Sequence, residues 1–532
     1  VLQQPLNKPD RFASALPFIF GFVTGLYFIT LNITGHNLAF FPGDMGDARF
    51  NTYILEHAYK FFTRQDPSLW NAPFMFPEQN VITYSDNLVG SAPFYSIFRV
   101  FGTDRETAFQ LWYILLVFLN YACCYWLLVK LFKNRYAAVL GAMIFAFSMA
   151  LQSQLTHAQT FARYPIPLTF LAGILFIQEL NPRYFFLMLL CLVYQFYCGL
   201  YLGFMLCIPA ALFLISGIIY KRTLVIDKIK SAKWILQITL SAIANAILLL
   251  PLMLPYYERS KIMPHDSYEQ SFHSIPTIKS FLYSQPGSLL WKSLQRMCDN
   301  YQEPWDHQLF PGGVAILGMV VCVGIALVFA LKRKKTDTVL PIILFLITAA
   351  LTFLLFVRVS NFSLYKYVFM MPGFGSMRAL ERIINIHLLF FSIAVTYVFA
   401  LVFNTPFKFK IPLFIVFTGL IIIDNYCPHD ASYTTSKQES MMKVNDLIEK
   451  MKSLPKGSIV SCETDKPQPR ILTCQIDVML ATQSLGLKSI NGYSGYNPPG
   501  YNDYADYMNA DARKKWISSK NLNPDSVHII QY

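Results

Sequence analysis

Long apolar runs alternate with short polar links along most of this chain. A stretch of roughly 20 apolar residues at 1.5 Å each matches the ~30 Å hydrocarbon core of a bilayer, and about eleven such stretches can be marked. The first runs from Ala13 to Thr34, and no small-residue cleavage site follows it, so it is expected to be a retained span rather than a signal peptide. The others are Phe109–Leu128, Tyr136–Gln152, Pro165–Gln178, Tyr184–Tyr197, Leu200–Ile219, Trp234–Leu254, Gly312–Leu331, Val339–Val357, Ile383–Phe403 and Ile411–Ile423. The fifth and sixth form one apolar block broken only at Cys198 and Gly199, which also suits a re-entrant pair or a single bent helix. After Asp424 the pattern turns mixed and polar. Val444, Leu447, Ile448 and Met451 recur at helical spacing, Pro455 and Gly457 would end that helix, and short strands are expected at Ser458–Ser461 and Val527–Tyr532.

Composition agrees with this pattern. Of 532 residues, 54% are hydrophobic and 14% charged, with a mean hydropathy of +0.39, whereas globular domains carry about a quarter charged residues. A disordered chain, a collagen and an ordinary cytosolic enzyme are excluded. The net charge of +13 lies in short clusters between apolar runs, which speaks for orientation in a bilayer and against nucleic acid as a partner. With Lys8 and Arg11 on the cytoplasmic side, the clusters at Lys130–Arg135, Lys221–Lys233, Lys332–Lys335 and Lys408–Lys410 fall there too. The expected fold is therefore mainly α: a polytopic membrane helix bundle over residues 1–424, with a small external α/β domain over 425–532. Loops 35–106 and 256–310 would lie outside with that domain.

Candidate chemistry concentrates outside the spans. Phe41-Pro-Gly-Asp-Met-Gly-Asp-Ala-Arg-Phe50 places Asp44 and Asp47 three residues apart, before an amphipathic stretch that suits a helix lying on the membrane surface, with Phe50, Tyr53, Ile54, Ala58, Phe61 and Phe62 as its apolar side. Such a carboxylate can deprotonate a hydroxyl or hold a divalent cation, magnesium or manganese, against a phosphate. It can equally cap a helix or sit in its first turn. Arg378 and Arg382, spaced to share a helical face, could grip a phosphate; pairing with Glu381 or with lipid head groups is the ordinary use of such residues. His157 and Arg163 are similar phosphate-binding candidates. Tyr493 and Tyr496, in Asn491-Gly-Tyr-Ser-Gly-Tyr496, and Trp305 could stack on a sugar of the acceptor, or simply dock the loops that carry them. Cys462 and Cys474 flank a proline-containing turn and could form a disulfide; the cysteines inside the spans read as packing residues. No Walker loop, dinucleotide fingerprint, nucleophile elbow or HExxH is present.

In its order of motifs the sequence resembles the GT-C superfamily of integral-membrane glycosyltransferases, and within it the YfhO-like group. The motifs are Gly43-Asp44 with Asp47, Trp70-Asn71-Ala-Pro73, Pro77-Glu-Gln-Asn80, Pro93-Phe-Tyr95, Phe101-Gly102, Phe145-Ala-Phe-Ser148, His157–Pro167, Pro372-Gly-Phe-Gly-Ser-Met-Arg378 and Asn491–Tyr496. That resemblance implies transfer of a sugar, with inversion, from a polyprenyl-phosphate donor to a glycan, lipid or protein acceptor on the periplasmic face of a bacterial inner membrane. The essential carboxylate of the family maps onto Asp44 or Asp47, and its phosphate-binding cations onto Arg378 and Arg382. The Trp-Trp-Asp-x-Gly motif of oligosaccharyltransferases is absent. A lipid or polysaccharide transporter and a non-catalytic cell-envelope scaffold are the alternative readings. Few ionisable residues fall inside the spans, which disfavours the transporter.

Overall fold

A computed structural model describes residues 11–263, 266–331, 340–406, 408–429, 434–464 and 470–532; Lys8 and the cluster Lys332–Lys335 lie outside the described residues. The chain enters as helix α1 (Arg11–Gly25), which runs on through a π-turn at Leu26–Thr30 and a last α-turn at Leu31–Thr34. Strand β1 (Phe40–Pro42) and helix α2 (Asp47–Phe62) follow, then α3 (Ala92–Val100), α4 (Arg105–Phe132), α5 (Arg135–Phe147), α6 (Pro165–Glu179), α7 (Pro182–Cys198), α8 (Leu200–Tyr220) and α9 (Ala232–Ser260). The bundle is completed by α10 (Gly313–Leu331), α11 (Leu340–Phe356), α12 (Ile384–Phe403) and α13 (Lys410–Asn425). Among the described residues seven helices are long and apolar enough to cross a membrane, and α7, α10 and α11 are shorter apolar helices; this is an integral membrane protein.

Each apolar stretch marked from the sequence coincides with one of these helices. Their starts are set by side chains that satisfy otherwise unbonded N–H groups: Asp104 accepts from Thr107 N at 2.8 Å, and Asn134 from Ala137 N at 3.0 Å. The block broken at Gly199 is two helices, not one bent rod. Gly199 is packed so closely that a Cβ there would lie 2.7 Å from the Gln159 carbonyl oxygen, and the Asp86 carboxylate accepts from Leu200 N at 2.6 Å, capping α8. Hydrogen bonds across the links show two ends to the bundle. At one, Asn134 meets Asn404; at the other, Asn32 meets the Cys427 carbonyl, Gln110 the Leu38 and Phe40 carbonyls, and Asn425 the Met149 N–H.

Past α13, strand β2 (Thr434–Ser436) pairs antiparallel with β1, and α14 (Lys437–Met451) buries Val444, Leu447 and Met451 as its periodicity predicts. Strand β3 (Ile459–Glu463), helix α15 (Ile471–Leu485), and strands β4 (Lys488–Ser489) and β5 (Val527–Gln531) build a three-stranded parallel sheet in the order β4-β3-β5. β4, two residues long, has no signature in the sequence.

The expectation of a surface-lying α2 is corrected. Residues Ala48–Ala58 of α2 are all buried, because its polar side is as fully engaged as its apolar side. Arg49 pairs with Asp477 of α15 at 2.6 Å, Glu56 with Arg99 of α3 at 2.7 Å, and Gln483 of α15 donates to the Tyr53 carbonyl at 2.9 Å. Phe50, Tyr53, Ile54, Phe74 and Met75 share one core with Val444, Met479 and Trp516. The first loop and the C-terminal segment thus form one packed unit over the end of the bundle at which Asn32 meets Cys427.

Candidate functional site

The β1–α2 turn delivers the two acids. Gly43 has φ +108°, and a Cβ there would sit 2.4 Å from the Ala48 Cβ and 2.7 Å from the Leu155 carbonyl oxygen, so the turn fits only a residue without a side chain. Asp44 is spent on the helix: its Oδ1 accepts from Ala48 N at 3.1 Å. Asp47, the first residue of α2, instead borders a cavity of about 430 Å³. Its Oδ1 accepts a hydrogen bond from the Tyr493 hydroxyl, and its Oδ2 lies 3.4 Å from His157 Nδ1.

Burial alone would raise the Asp47 carboxyl. His157, the Tyr493 hydroxyl and the Arg382 charge outweigh burial and hold Asp47 below the usual aspartate value. Burial and the Arg382 charge depress the His157 imidazole, against the pull of Asp47, so at neutral pH an anionic carboxylate faces a neutral ring. Asp44 is displaced upward by burial, only partly offset by the Ala48 N–H.

The two arginines meet Asp47 around the same cavity, but not by sharing a helical face. Arg378 lies in irregular chain and Arg382 in a 3₁₀ turn, Leu380–Ile383. Arg378 Nη2 donates to the Gly495 carbonyl at 3.0 Å, its guanidinium stacks on Tyr496 at 4.2 Å, and its Nε is 3.9 Å from Asp266 Oδ2. Arg382 stacks on Tyr201 at 4.5 Å. Its Nε is buried without a hydrogen-bond partner, 3.7 Å from Glu381 Oε1. Tyr493 and Tyr496 therefore both line the cavity while docking their loop, for Tyr496 N also donates to the Tyr84 carbonyl at 3.0 Å.

Asp86, Tyr201, Arg259 and Asp266 were not marked from the sequence. Asp86, Tyr201 and Arg259 also border the cavity, and Asp266 accepts from the Tyr496 hydroxyl. Each sits in a different segment, with no motif or spacing to single it out. Arg259 is fully committed to the first loop: it bonds Thr83 Oγ1 at 3.0 Å, Glu78 Oε1 at 3.1 Å and the Tyr84 hydroxyl, and lies 3.8 Å over the Tyr84 ring. Lys520 holds the other Glu78 oxygen at 2.6 Å.

Three marked features fall elsewhere. Trp305 is 53% exposed and does not border the cavity. Arg163 is buried in the bundle beside a separate small cavity. Cys462 and Cys474 are separate buried thiols, not a disulfide; both belong to packed elements whose apolar contacts they join, and the turn between them lies outside the described residues. Among the described residues no three His, Cys, Asp or Glu side chains converge on a metal position. Asp47 and His157 offer two donors, and His157 Nδ1 is buried without a hydrogen-bond partner.

No family model and no curated protein matches the chain. Solved structures of similar fold include three of the oligosaccharyltransferase of Archaeoglobus fulgidus. The apo form is 10% identical with a TM-score of 0.45, covering 91% of this chain and 65% of that one. The complex with zinc and sulfate is 11% identical with a TM-score of 0.48, covering 94% and 66%. The complex of this enzyme, AglB, with an inhibitory peptide and a dolichol-phosphate is 10% identical with a TM-score of 0.44, covering 96% and 69%. The chain thus spans just under two thirds of the length of the first two.

Proposed function

We propose that this protein is a glycosyltransferase of the GT-C type. It moves a sugar from a polyprenyl-phosphate donor to an acceptor hydroxyl or amide on the face of the membrane opposite the basic loops, which in a bacterial inner membrane is the periplasm. The observation that carries the proposal is the convergence of Asp47, Arg378 and Arg382 on one cavity at the ends of α8 and α9. A lipid-borne donor approaches sideways. The exposed apolar residues Leu250, Leu254 and Tyr257 run along α9 to the turn that supplies Tyr256 and Arg259 to the cavity wall.

In this reading Asp47 takes the acceptor proton as the acceptor atom bonds the anomeric carbon. The bond from that carbon to the phosphate oxygen breaks on the opposite side, inverting the centre, and its electron pair leaves with the carrier phosphate. Arg382 stabilises that departing charge through its unpartnered Nε and its fork of N–H donors. Neutral His157 flanks the carboxylate, its Nδ1 3.4 Å from Asp47 Oδ2. A divalent cation would be held by Asp47 and His157, and when bound it supplies positive charge to the donor phosphate. Tyr496 and Tyr493 present ring and hydroxyl surfaces to a sugar.

The test is release or transfer of a labelled sugar from a short polyprenyl phosphate by the full chain in nanodiscs. Wild type should turn over, and the double variant Asp47→Asn/Arg382→Ala should not. Equal rates in the two proteins would overturn the assignment.

A further inference from the structure

Five arginines are buried in the described structure, and four have an acid beside them. Arg49 lies 2.6 Å from Asp477, Arg105 2.9 Å from Glu106, Arg259 3.1 Å from Glu78 and Arg382 3.7 Å from Glu381. Arg163, at 4% exposure, has no such partner among the described residues. Its Nη1 donates to Asn385 Oδ1 at 3.3 Å, its Nη2 to the Phe145 carbonyl at 3.5 Å, and its guanidinium lies 5.5 Å over the Phe145 ring. These contacts are neutral and long, and its Nε–H has no acceptor at all. A guanidinium held inside a membrane bundle without an anion costs several kcal/mol.

Beside it lies a small pocket of about 30 Å³, lined by Tyr113, Asn120, Ser148, Gln154, Thr160 and Arg163. The π-turn of the first span contributes Ile29 and Thr30 to the same wall, and such turns interrupt a helix most often at functional positions. A pocket of this size holds one or two waters, so a small monatomic occupant suits it better than a phosphate or sulfate. Water fits the space but leaves the charge uncompensated. We infer that this pocket binds one halide ion, chloride under ordinary conditions, against Arg163 Nε. The Gln154 side chain, whose Oε1 is also buried without a partner, can turn its amide to offer an N–H to the ion. This inference is independent of the proposed transferase activity, since Arg163 does not border the Asp47 cavity.

The experiment uses the full chain purified in gluconate at fixed ionic strength. Titration with chloride or bromide should raise the thermal midpoint saturably, sulfate should not, and Arg163→Gln should abolish the response. Crystals grown in bromide should show an anomalous peak within hydrogen-bonding distance of Arg163 Nε. A water without anomalous signal, together with a midpoint insensitive to halide, would sink the inference. Should Arg163→Gln fail to fold, Tyr113→Phe should raise the halide concentration needed for half-effect several-fold, and the wild-type bromide map decides alone if that response is absent.

Discussion

Asp44 and Asp47 lie three residues apart in one turn, yet they make such different contacts that single substitutions separate them. Asp47→Asn keeps the shape of the side chain and removes the charge that faces the cavity, His157 and the Tyr493 hydroxyl. A positioned base contributes about 10²–10⁴-fold, so sugar transfer should fall by that factor while the protein stays folded. Asp44 bonds the Ala48 N–H instead. Asn at that position still presents a carbonyl oxygen, so Asp44→Asn should retain nearly full activity and stability. Asp44→Ala leaves that N–H unbonded and should cost about 0.5–2 kcal/mol, read as a lower thermal midpoint with transfer preserved. Initial rates with a labelled polyprenyl-phosphate sugar, set beside thermal melts of the four proteins, make the comparison. Loss of transfer in Asp44→Asn with retention in Asp47→Asn would refute the reasoning, because it would place the reactive carboxylate on the capping residue.

Three further expectations rest on the same geometry. Tyr493→Phe removes a hydrogen bond that helps hold the Asp47 carboxylate below the usual aspartate value, so the Asp47 titration should move up. If Asp47 is the base proposed above, it acts when ionised, and activity in the variant should be lost at a higher pH as the medium is acidified; an acid limb coincident with wild type would contradict this. Arg382→Lys keeps the charge but not the fork, so the KM for donor should rise about tenfold, equivalent to about 1.4 kcal/mol, and a KM unchanged in steady-state kinetics would count against phosphate contact there. Arg259→Met leaves Glu78 with Lys520 and Tyr84 only, and breaking a buried pair costs about 3–5 kcal/mol. Thermal melts should show the loss, along with easier proteolysis of the C-terminal segment.

The spans were legible because a single physical signal, apolar length, identifies them, and each marked stretch has its helix. The C-terminal strands were partly legible: β3 and β5 have β-branched runs long enough to recognise, whereas β4 is two residues held by its neighbours. The surface assignment of α2 failed for a definite reason. Periodicity shows which side of a helix is apolar, but not that Arg49 and Glu56 on the other side have partners at Asp477 and Arg99, far along the chain. The same limit hid Asp86, whose role as the cap of α8 depends on a contact across 114 residues. Arg378 and Arg382 were marked for a spacing they do not use; they share the cavity because a loop, not a helix face, carries them there.

The two arginines also divide their labour. Arg378 is held by the Gly495 carbonyl, the Tyr496 ring and Asp266, so its charge is placed by the loop that also sends Tyr493 to Asp47. Arg382 has a stacking partner in Tyr201 and an Nε with no acceptor. A buried donor left open costs free energy unless something fills it, and on the proposed reading an oxygen of the donor phosphate is the partner that removes the cost. The loop from Asn491 to Tyr496 then does more than join two parts of the protein. By fixing Arg378 from one side and Asp47 from the other, it sets the width of the gap in which Arg382 and the carboxylate must face each other. If the cavity is the reaction site proposed above, its geometry depends on C-terminal docking as much as on the membrane helices.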